Sequence, residues 1–418
     1  MPPVAERAEV VVVGGGVIGL AVALELSTAG RSVRVMERAQ PGSGASHGNC
    51  GLLTPSHSLP LTQPGMVRRV LGWMLRDDAP IYVRTRFDLG FLCWGLRFAR
   101  HCNVGAMQNA LRGRAALLEL SRSLFDDWVE RHSLAIEYET IGLMEVYATE
   151  QGRDQAQDAH ALLAEHGIRS EAFTRAALLQ REPALRADLC SGQWYPSDAH
   201  LRPDALVNEL VRCARASGVR VDGDTLVTGI ETERGRVSGV RTGQEFVSCE
   251  QLVLCAGAWS PPLGRALGLK LPIQPGKGYS ITTARPSPCP SVPLLLKEAN
   301  MAVTPWGSGL RLGGTMEFDG LDSTLRPSRL DALRSGAARY LQEPLGADPV
   351  EWCGFRPMTP DELPLIGPAP LFPNAIIATG HGMMGVSMAT GTAQLVRELL
   401  TGAAPCVDPA PYSPQRFS

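Results

Sequence analysis

A chain of 418 residues with a formal net charge of −2, 44% hydrophobic and 20% charged residues has the balance of an ordinary globular protein, and its length leads us to expect two domains. The near-neutral charge leaves no electrostatic footprint for nucleic acid, and no run of about 18 apolar residues offers a membrane-spanning helix. Ten scattered cysteines, with no C-x-x-C pair and no Cys/His cluster at zinc-ligand spacing, fit a reduced, cytoplasmic setting and no metal. The N-terminus enters its first apolar run without a charged segment and hydrophobic stretch of the kind that directs secretion or import.

That apolar run, residues 9–13, reads as a buried strand and leads directly into Gly14-Gly15-Gly16-Val17-Ile18-Gly19. Gly14, Gly16 and Gly19 supply the G-x-G-x-x-G spacing: one glycine makes the tight turn, one lets backbone approach a pyrophosphate, and one packs helix on strand. A helix is expected over 17–29, with Gly30 as its stop, and a second strand through Val33 and Val35. Glu37 follows Gly19 by eighteen residues, where a carboxylate accepts ribose hydroxyls and repels a 2′-phosphate. An adenine dinucleotide is therefore expected, NAD or FAD rather than NADP.

Residues 41–51 form a loop of small residues, dense enough to imply that backbone passes close to something. The stretch 61–199 reads as largely helical, with a core stripe of Leu111, Ala115, Leu118 and Phe125 on a helix over 103–132 and another helix over 151–166. Within it, Phe91, Leu92, Trp94, Leu96 and Phe98 cluster beside Arg97 and Arg100; a core helix is the preferred reading, and peripheral contact with the inner face of the cell membrane is left open. A second α/β stretch follows: helix 203–218, strand 220–221, a hairpin of 226–232 and 236–241, and a buried strand that delivers the turn Ala256-Gly257. Strands over 279–283, 302–305 and 310–314 and a helix over 328–340 come next, then Gly354-Phe355-Arg356-Pro357, a strand over 375–378, and Gly380-His381-Gly382 opening a helix to Leu400. The proline-rich tail, 403–418, reads as an irregular or disordered strap. The fold class is α/β and α+β: a Rossmann-like dinucleotide domain from 1–60, 200–265 and 350–418, interleaved with a mixed-sheet-plus-helices substrate domain from 61–199 and 266–349.

The dinucleotide unit, the loop from Gly44 to Gly51, the strand-turn ending at Ser260, and the pair Gly-Phe-Arg-Pro and Gly-His-Gly, in that order, resemble the D-amino acid oxidase superfamily of FAD-dependent oxidoreductases over essentially the whole chain. Residues 45–65 and Lys277-Gly278-Tyr279-Ser280 are most similar to the bacterial D-amino acid and D-hydroxyproline dehydrogenase branch. The resemblance implies FAD, with Gly14, Gly16, Val17, Ile18, Gly19, Glu37 and Arg38 on its ADP half and Val227 meeting the adenine through its backbone. It implies Ser46, His47, Asn49, Cys50, Gly51 and Leu52 along the flavin, and Ala256, Gly257 and Trp259 near the ribityl or pyrophosphate. Gly354, Gly380, Gly382, Met383, Met384 and Gly385 complete the cofactor set, with a helix from about Gly382 aiming free N–H groups at the flavin N1 and C2 carbonyl, where reduction places negative charge.

By the same resemblance Arg356 clamps a substrate carboxylate, a role that suits its permanently charged, bidentate fork; an ion pair with Asp361 is the structural alternative. Tyr279 offers a hydroxyl to substrate, His381 a hydrogen bond near flavin or substrate, and His57 and Glu317 polar contacts that select the substrate. The implied reaction is oxidation of a D-amino or cyclic imino acid, D-proline or D-hydroxyproline among them: the amine binds neutral, hydride passes from Cα to flavin N5, and an imino acid is released. A quinone, a carrier protein or oxygen then takes the electrons. Sarcosine-oxidase relatives attach their flavin through a cysteine at the position of Gly354; Cys353 is one residue away and would face the other side of a strand, so a non-covalent flavin is expected. Oxidation of glycine, sarcosine or a 2-hydroxy acid, and a non-catalytic flavin-binding subunit, are the competing readings. The sequence carries no signal for an oligomeric state.

Overall fold

The valine-rich strand Glu6–Val13 is central to an eight-stranded sheet in a computed structural model that describes residues 6–73, 81–83, 88–243 and 245–417. It pairs in parallel with Val33–Met36 on one side and Phe246–Leu254 on the other, and Arg220–Asp222 and Phe372–Thr379 extend the parallel array. The hairpin Val227–Glu233/Arg236–Thr242 and the strand Leu365–Ala369 add antiparallel pairs. Continuous apolar strands require cover on both faces. On one face the helix Val17–Thr28 lies between the helices Pro203–Ala216 and Ala389–Thr401, which explains why it is apolar all round rather than along one stripe. The hairpin and Leu267, Leu269 and Leu271 cover the other face.

A nine-stranded mixed sheet runs in the order Val350–Met358, Gln274–Thr283, Gly309–Phe318, Met301–Trp306, Leu294–Leu296, Leu143–Tyr147, Ser191–Tyr195, Glu171–Thr174, with Ile81–Val83 also paired to Gly309–Phe318. Two expectations change here. The stretch 61–199 is largely helical as expected, but it also contributes four of these strands, which were not expected; each has five residues or fewer, too short for a periodic signal. Val350–Met358, expected with the dinucleotide segments, pairs along its length with Gln274–Thr283 in this second sheet. The long helix Val104–His132 in turn packs on Ala389–Thr401 beside the first sheet, with the Ser121 and Thr390 hydroxyls 2.8 Å apart.

The helix expected to open at Gly380–Gly382 begins at Ala389. Gly380 and Gly382 hold φ of +78° and +55°, left-handed values that stop a helix from starting, and turns occupy 382–388. The described part of the tail is a strap: the Tyr412 hydroxyl donates to Gly113 O (2.7 Å), and the Arg416 fork takes both oxygens of Asp361 (2.6 and 3.1 Å). The helix Leu89–His101 is only half a core helix. Phe91, Trp94 and Phe98 stack inward, with Trp94 Nε1 donating to Met358 O (3.1 Å), whereas Leu89, Leu92 and Leu96 are exposed. Among the described residues no helix is long and apolar enough to cross a membrane.

Candidate active site

The carboxyl ends of the parallel strands converge: Gly14 N donates to Met36 O (2.8 Å), Cys255 N to Val13 O (2.8 Å) and Glu37 N to Asp222 O (2.9 Å). In open α/β sheets ligands bind outside such ends. A cavity of about 1480 Å³ opens there and runs from Glu37, Arg38 and Val227 past Gly257 to Gly354, Arg356 and the 380–385 turn. A Cβ at Gly16 would meet only Ser46 Oγ, at 3.5 Å, and one at Gly257 nothing within 4 Å, so main chain lies open to the cavity where a pyrophosphate would need it. Glu37 already accepts from Gly15 N (2.7 Å) and Ala39 N (3.1 Å), which fixes its carboxylate at the strand end. Arg38 lies 3.9 Å over the Trp259 ring, which meets the Phe355 ring at near right angles, with centroids 5.8 Å apart. An extended adenine dinucleotide with a flavin at the far end fits this cavity in shape and donor set.

Most of the residues named from the sequence line it, including Val17, Ile18, Leu52, Ala256, Met383, Met384 and Gly385. Gly19, His47 and Gly51 do not. Gly19 packs helix on strand: a Cβ there would sit 1.9 Å from Gly14 O. Gly51 accepts from Leu201 N (2.8 Å), and the exposed His47 ring lies beside Trp352. Gly19 thus seats the first helix, while His47 and Gly51 shape the loop. Ser46 Oγ accepts from Val17 N (3.0 Å), tying the loop to the start of the first helix, and Asn49 Oδ1 accepts from Gly51 N (2.7 Å).

Two buried arginines absent from the sequence reading hold the segment from His47 to Leu61. Arg311 donates to the carbonyls of His47 and Asn49 (2.9 and 2.7 Å). Arg114 donates to those of His57, Ser58 and Glu362 (2.8, 3.0 and 3.1 Å), and lies 3.7 Å from the buried Glu362 carboxylate, which accepts from Leu61 N (3.0 Å). No local pattern could have found them, because their partners are backbone carbonyls remote in sequence.

Arg356 and Gly354 share a face of their strand, opposite Gly276 and Gly278. The guanidinium occupies the space left by Gly278, where a Cβ would lie 2.2 Å from Cζ, and Nη1 donates to Thr315 O (2.7 Å). No carboxylate pairs with Arg356 among the described residues, and Asp361, the alternative partner, is taken by Arg416. Burial lowers the arginine's pKa and the neighbouring Cys50 raises it; burial also pushes the Cys50 thiol up, so the thiol stays protonated and does not neutralise the cation. The cavity thus holds a charged fork with donors left for an anion.

Tyr279 is among the residues lining the cavity, but its hydroxyl is engaged away from Arg356. It pairs with Cys353, which puts its side chain on the face of the sheet opposite Arg356, and its hydroxyl donates to the buried Glu317 (2.7 Å). Glu317 itself pairs with Arg326 (2.6 Å) and Lys277 (3.5 Å), so both lie in a polar cluster behind the sheet. The Cys353 thiol, on that same face, donates to Ser323 O (3.3 Å).

Both candidate histidines are neutral. Burial pushes His381 down to about 3, and its Nε2 meets the Thr392 hydroxyl at 3.0 Å, so that nitrogen is engaged by the following helix. His57 lines the cavity from the turn Pro55–Ser58; burial, with Lys297 nearby, holds it at about 4, and its buried Nδ1 has no partner. An unpartnered buried nitrogen costs less as an acceptor than as a donor, which favours the proton on Nε2.

The turn is anchored by Asp198, which accepts from Ser56 N (3.2 Å) and the Ser56 hydroxyl; burial pushes Asp198 up to about 7. Its folded-state pKa is raised, so the native state holds a proton that the unfolded chain loses near pH 4, and that stabilisation disappears as pH rises through 7. Asp198→Asn is therefore expected to raise the melting temperature at pH 8, by the equivalent of up to about 4 kcal/mol, and to change it little at pH 4.5. Equal shifts at the two pH values in thermal denaturation would refute this.

The profile of the family described as DAO, FAD dependent oxidoreductase, matches residues 9–399. The D-amino acid dehydrogenase of Paramagnetospirillum magneticum is 33% identical over 407 residues, 94% of this chain and 95% of that protein. The D-amino acid dehydrogenase of Phenylobacterium zucineum is 33% identical over 416 residues, 97% and 96% of the two chains. The fold superposes on glycine oxidase from Geobacillus kaustophilus with a TM-score of 0.81 at 23% identity, covering 98% of each chain, a likeness of fold. The chain therefore belongs to the FAD dependent oxidoreductase family, and its cofactor is FAD.

Proposed function

We propose that the protein is a D-amino acid dehydrogenase whose substrates include cyclic imino acids such as D-proline and D-hydroxyproline. One observation carries this reading: the Arg356 guanidinium, inside the cavity, with no carboxylate partner among the described residues and one N–H spent on Thr315 O. A non-catalytic subunit has no use for such a cation, and a fork of this geometry recognises a carboxylate in two places at once. The identity to two D-amino acid dehydrogenases supports the α-amino acid class over 2-hydroxy acids.

The bound FAD supplies a two-electron acceptor able to take hydride from the substrate Cα. The chain's own residues bind and orient. Arg356 holds the carboxylate from the space that Gly278 leaves for its guanidinium; the Trp352 ring fills the space at Gly354 and, with the 380–385 turn, walls the cavity. Fixing one end of a small substrate removes most of its rotational freedom, the principal contribution a protein makes when a cofactor does the chemistry. With Tyr279 turned away, His57 is the polar side chain that we assign to substrate selection, its Nε2–H available to an acceptor on the substrate's side chain. Electrons leave to a quinone, a carrier protein or oxygen.

The reading also entails a non-covalent flavin, since the Cys353 thiol is on the sheet face opposite Gly354 and Arg356. Acid precipitation of the holoenzyme is expected to leave all flavin absorbance in the supernatant; yellow precipitate that survives washing would refute it. The substrate class is tested by a panel of D- and L-amino acids, glycine, sarcosine and 2-hydroxy acids, with the highest kcat/KM expected among the D-amino and cyclic imino acids.

A further inference from the structure

We propose that Arg311 is the positioning residue of the flavin-lining loop, holding residues 46–52 in the shape that retains FAD. Up to Gly51 this loop is mostly turns, and its one ladder contact is at its end, where Leu52 pairs with His200. Its carbonyls at His47 and Asn49 converge instead on one nitrogen of one side chain, Arg311 Nη1, at 2.9 and 2.7 Å. The guanidinium is aimed from three other directions. Nε donates to Thr282 Oγ1 on the adjacent strand (2.8 Å), Nη2 lies 3.7 Å from Asp204 Oδ1 in the first turn of the helix Pro203–Ala216, and the group sits 5.0 Å from the Trp306 ring centroid. Asp204 is shared with Arg202, whose Nε is 3.1 Å away. A second tie from the same sheet meets the same loop, the Thr304 hydroxyl donating to Cys50 O (2.7 Å).

The arrangement spends a buried charge on neutral carbonyls, with a single carboxylate at the edge of ion-pair range. A buried arginine is costly unless its donors are satisfied. Here the satisfied donors fix a loop, and the loop lines the cofactor cavity at Ser46, Asn49 and Cys50. Arg311 and Thr282 belong to the second sheet and Asp204 to a helix of the first, so cofactor retention is coupled to how the two sheets meet across the cavity. Sites misplaced by fractions of an ångström lose function, which is why the anchoring residues matter as much as the lining ones. The inference rests on FAD as cofactor and is independent of which amino acid is oxidised.

The test is made on stripped and reconstituted full-length protein, without any amino acid. FAD dissociation constant, visible flavin spectrum and midpoint potential are measured for wild type, Arg311→Met, Arg311→Lys, Thr282→Val and Thr304→Val. Arg311→Met is expected to weaken FAD binding at least tenfold and to move both spectrum and potential, with Arg311→Lys in between because an ammonium reaches one carbonyl without the fork. Thr282→Val and Thr304→Val are expected to weaken binding by about two- to fivefold each. A folded Arg311→Met protein with wild-type affinity, spectrum and potential overturns the proposal. Should that variant not fold, wild-type values for both threonine variants overturn it. Either failure leaves the substrate reading standing, because flavin reduction by amino acids is measured separately.

Discussion

Arg356→Ala is expected to lower kcat/KM for the preferred amino acid by roughly 10²- to 10³-fold, because a charged pair truncated at a buried site costs about 2–5 kcal/mol. The loss falls chiefly on KM, since the carboxylate is held alike before and during reaction. Flavin content and spectrum should not change: the residue sits in the space left by Gly278, and the loop that lines the flavin is tied down elsewhere. Arg356→Lys should recover part of the affinity through charge alone, as an ammonium offers a point charge in place of a planar fork. Gly278→Ala tests the same geometry from the other side. A methyl 2.2 Å from the guanidinium carbon must displace the side chain, so KM should rise while Arg356 remains present. Normal KM values in steady-state kinetics of both Arg356→Ala and Gly278→Ala would remove Arg356 from the substrate site.

The second large effect is on stability. Arg114→Met removes the donor that three carbonyls and a buried carboxylate share, leaving the Glu362 carboxylate inside the protein with Leu61 N as its remaining hydrogen-bond partner among the described residues. Breaking one member of a buried pair costs about 3–5 kcal/mol. The melting temperature of Arg114→Met should fall by several degrees, and Glu362→Gln in the same background should restore part of the loss by removing the stranded charge. The loss should grow as pH rises. Burial raises the Glu362 pKa with its partner in place, and without Arg114 the folded state favours the protonated acid further, so Arg114→Met should approach wild-type stability toward low pH. Differential scanning calorimetry at pH 5 and pH 8 checks this; a pH-independent deficit would mean that packing, not charge, dominates.

The elements that could be read from the sequence were those whose signal is local. The glycine spacing after an apolar run, with Glu37 at the end of the next strand, places the dinucleotide end of the cavity, because strand, turn and helix are contiguous there. Arg356 was singled out through the family resemblance of Gly354-Phe355-Arg356-Pro357, and the strand Val350–Met358 places it on the cavity. What the sequence did not disclose depends on register and on long-range contact. Tyr279 lies behind the sheet because it stands across from Cys353, one residue out of phase with Gly354 and Arg356; that parity exists only once the strands are paired. Arg114 and Arg311 act on carbonyls, which leave no mark in a sequence. The short strands Leu143–Tyr147 and Ser191–Tyr195 were lost among helices, and the helix start at Ala389 was read early because two glycines look alike whether they precede a helix or hold the turns before it.

The most direct test of the functional account is anaerobic reduction of the enzyme-bound FAD by paired D- and L-amino acids, including the two enantiomers of proline. The account predicts bleaching of the flavin band by D-amino or cyclic D-imino acids, saturating with substrate concentration and requiring much higher concentrations in Arg356→Ala. No bleaching by any amino or imino acid, or bleaching by a 2-hydroxy acid alone, would contradict it.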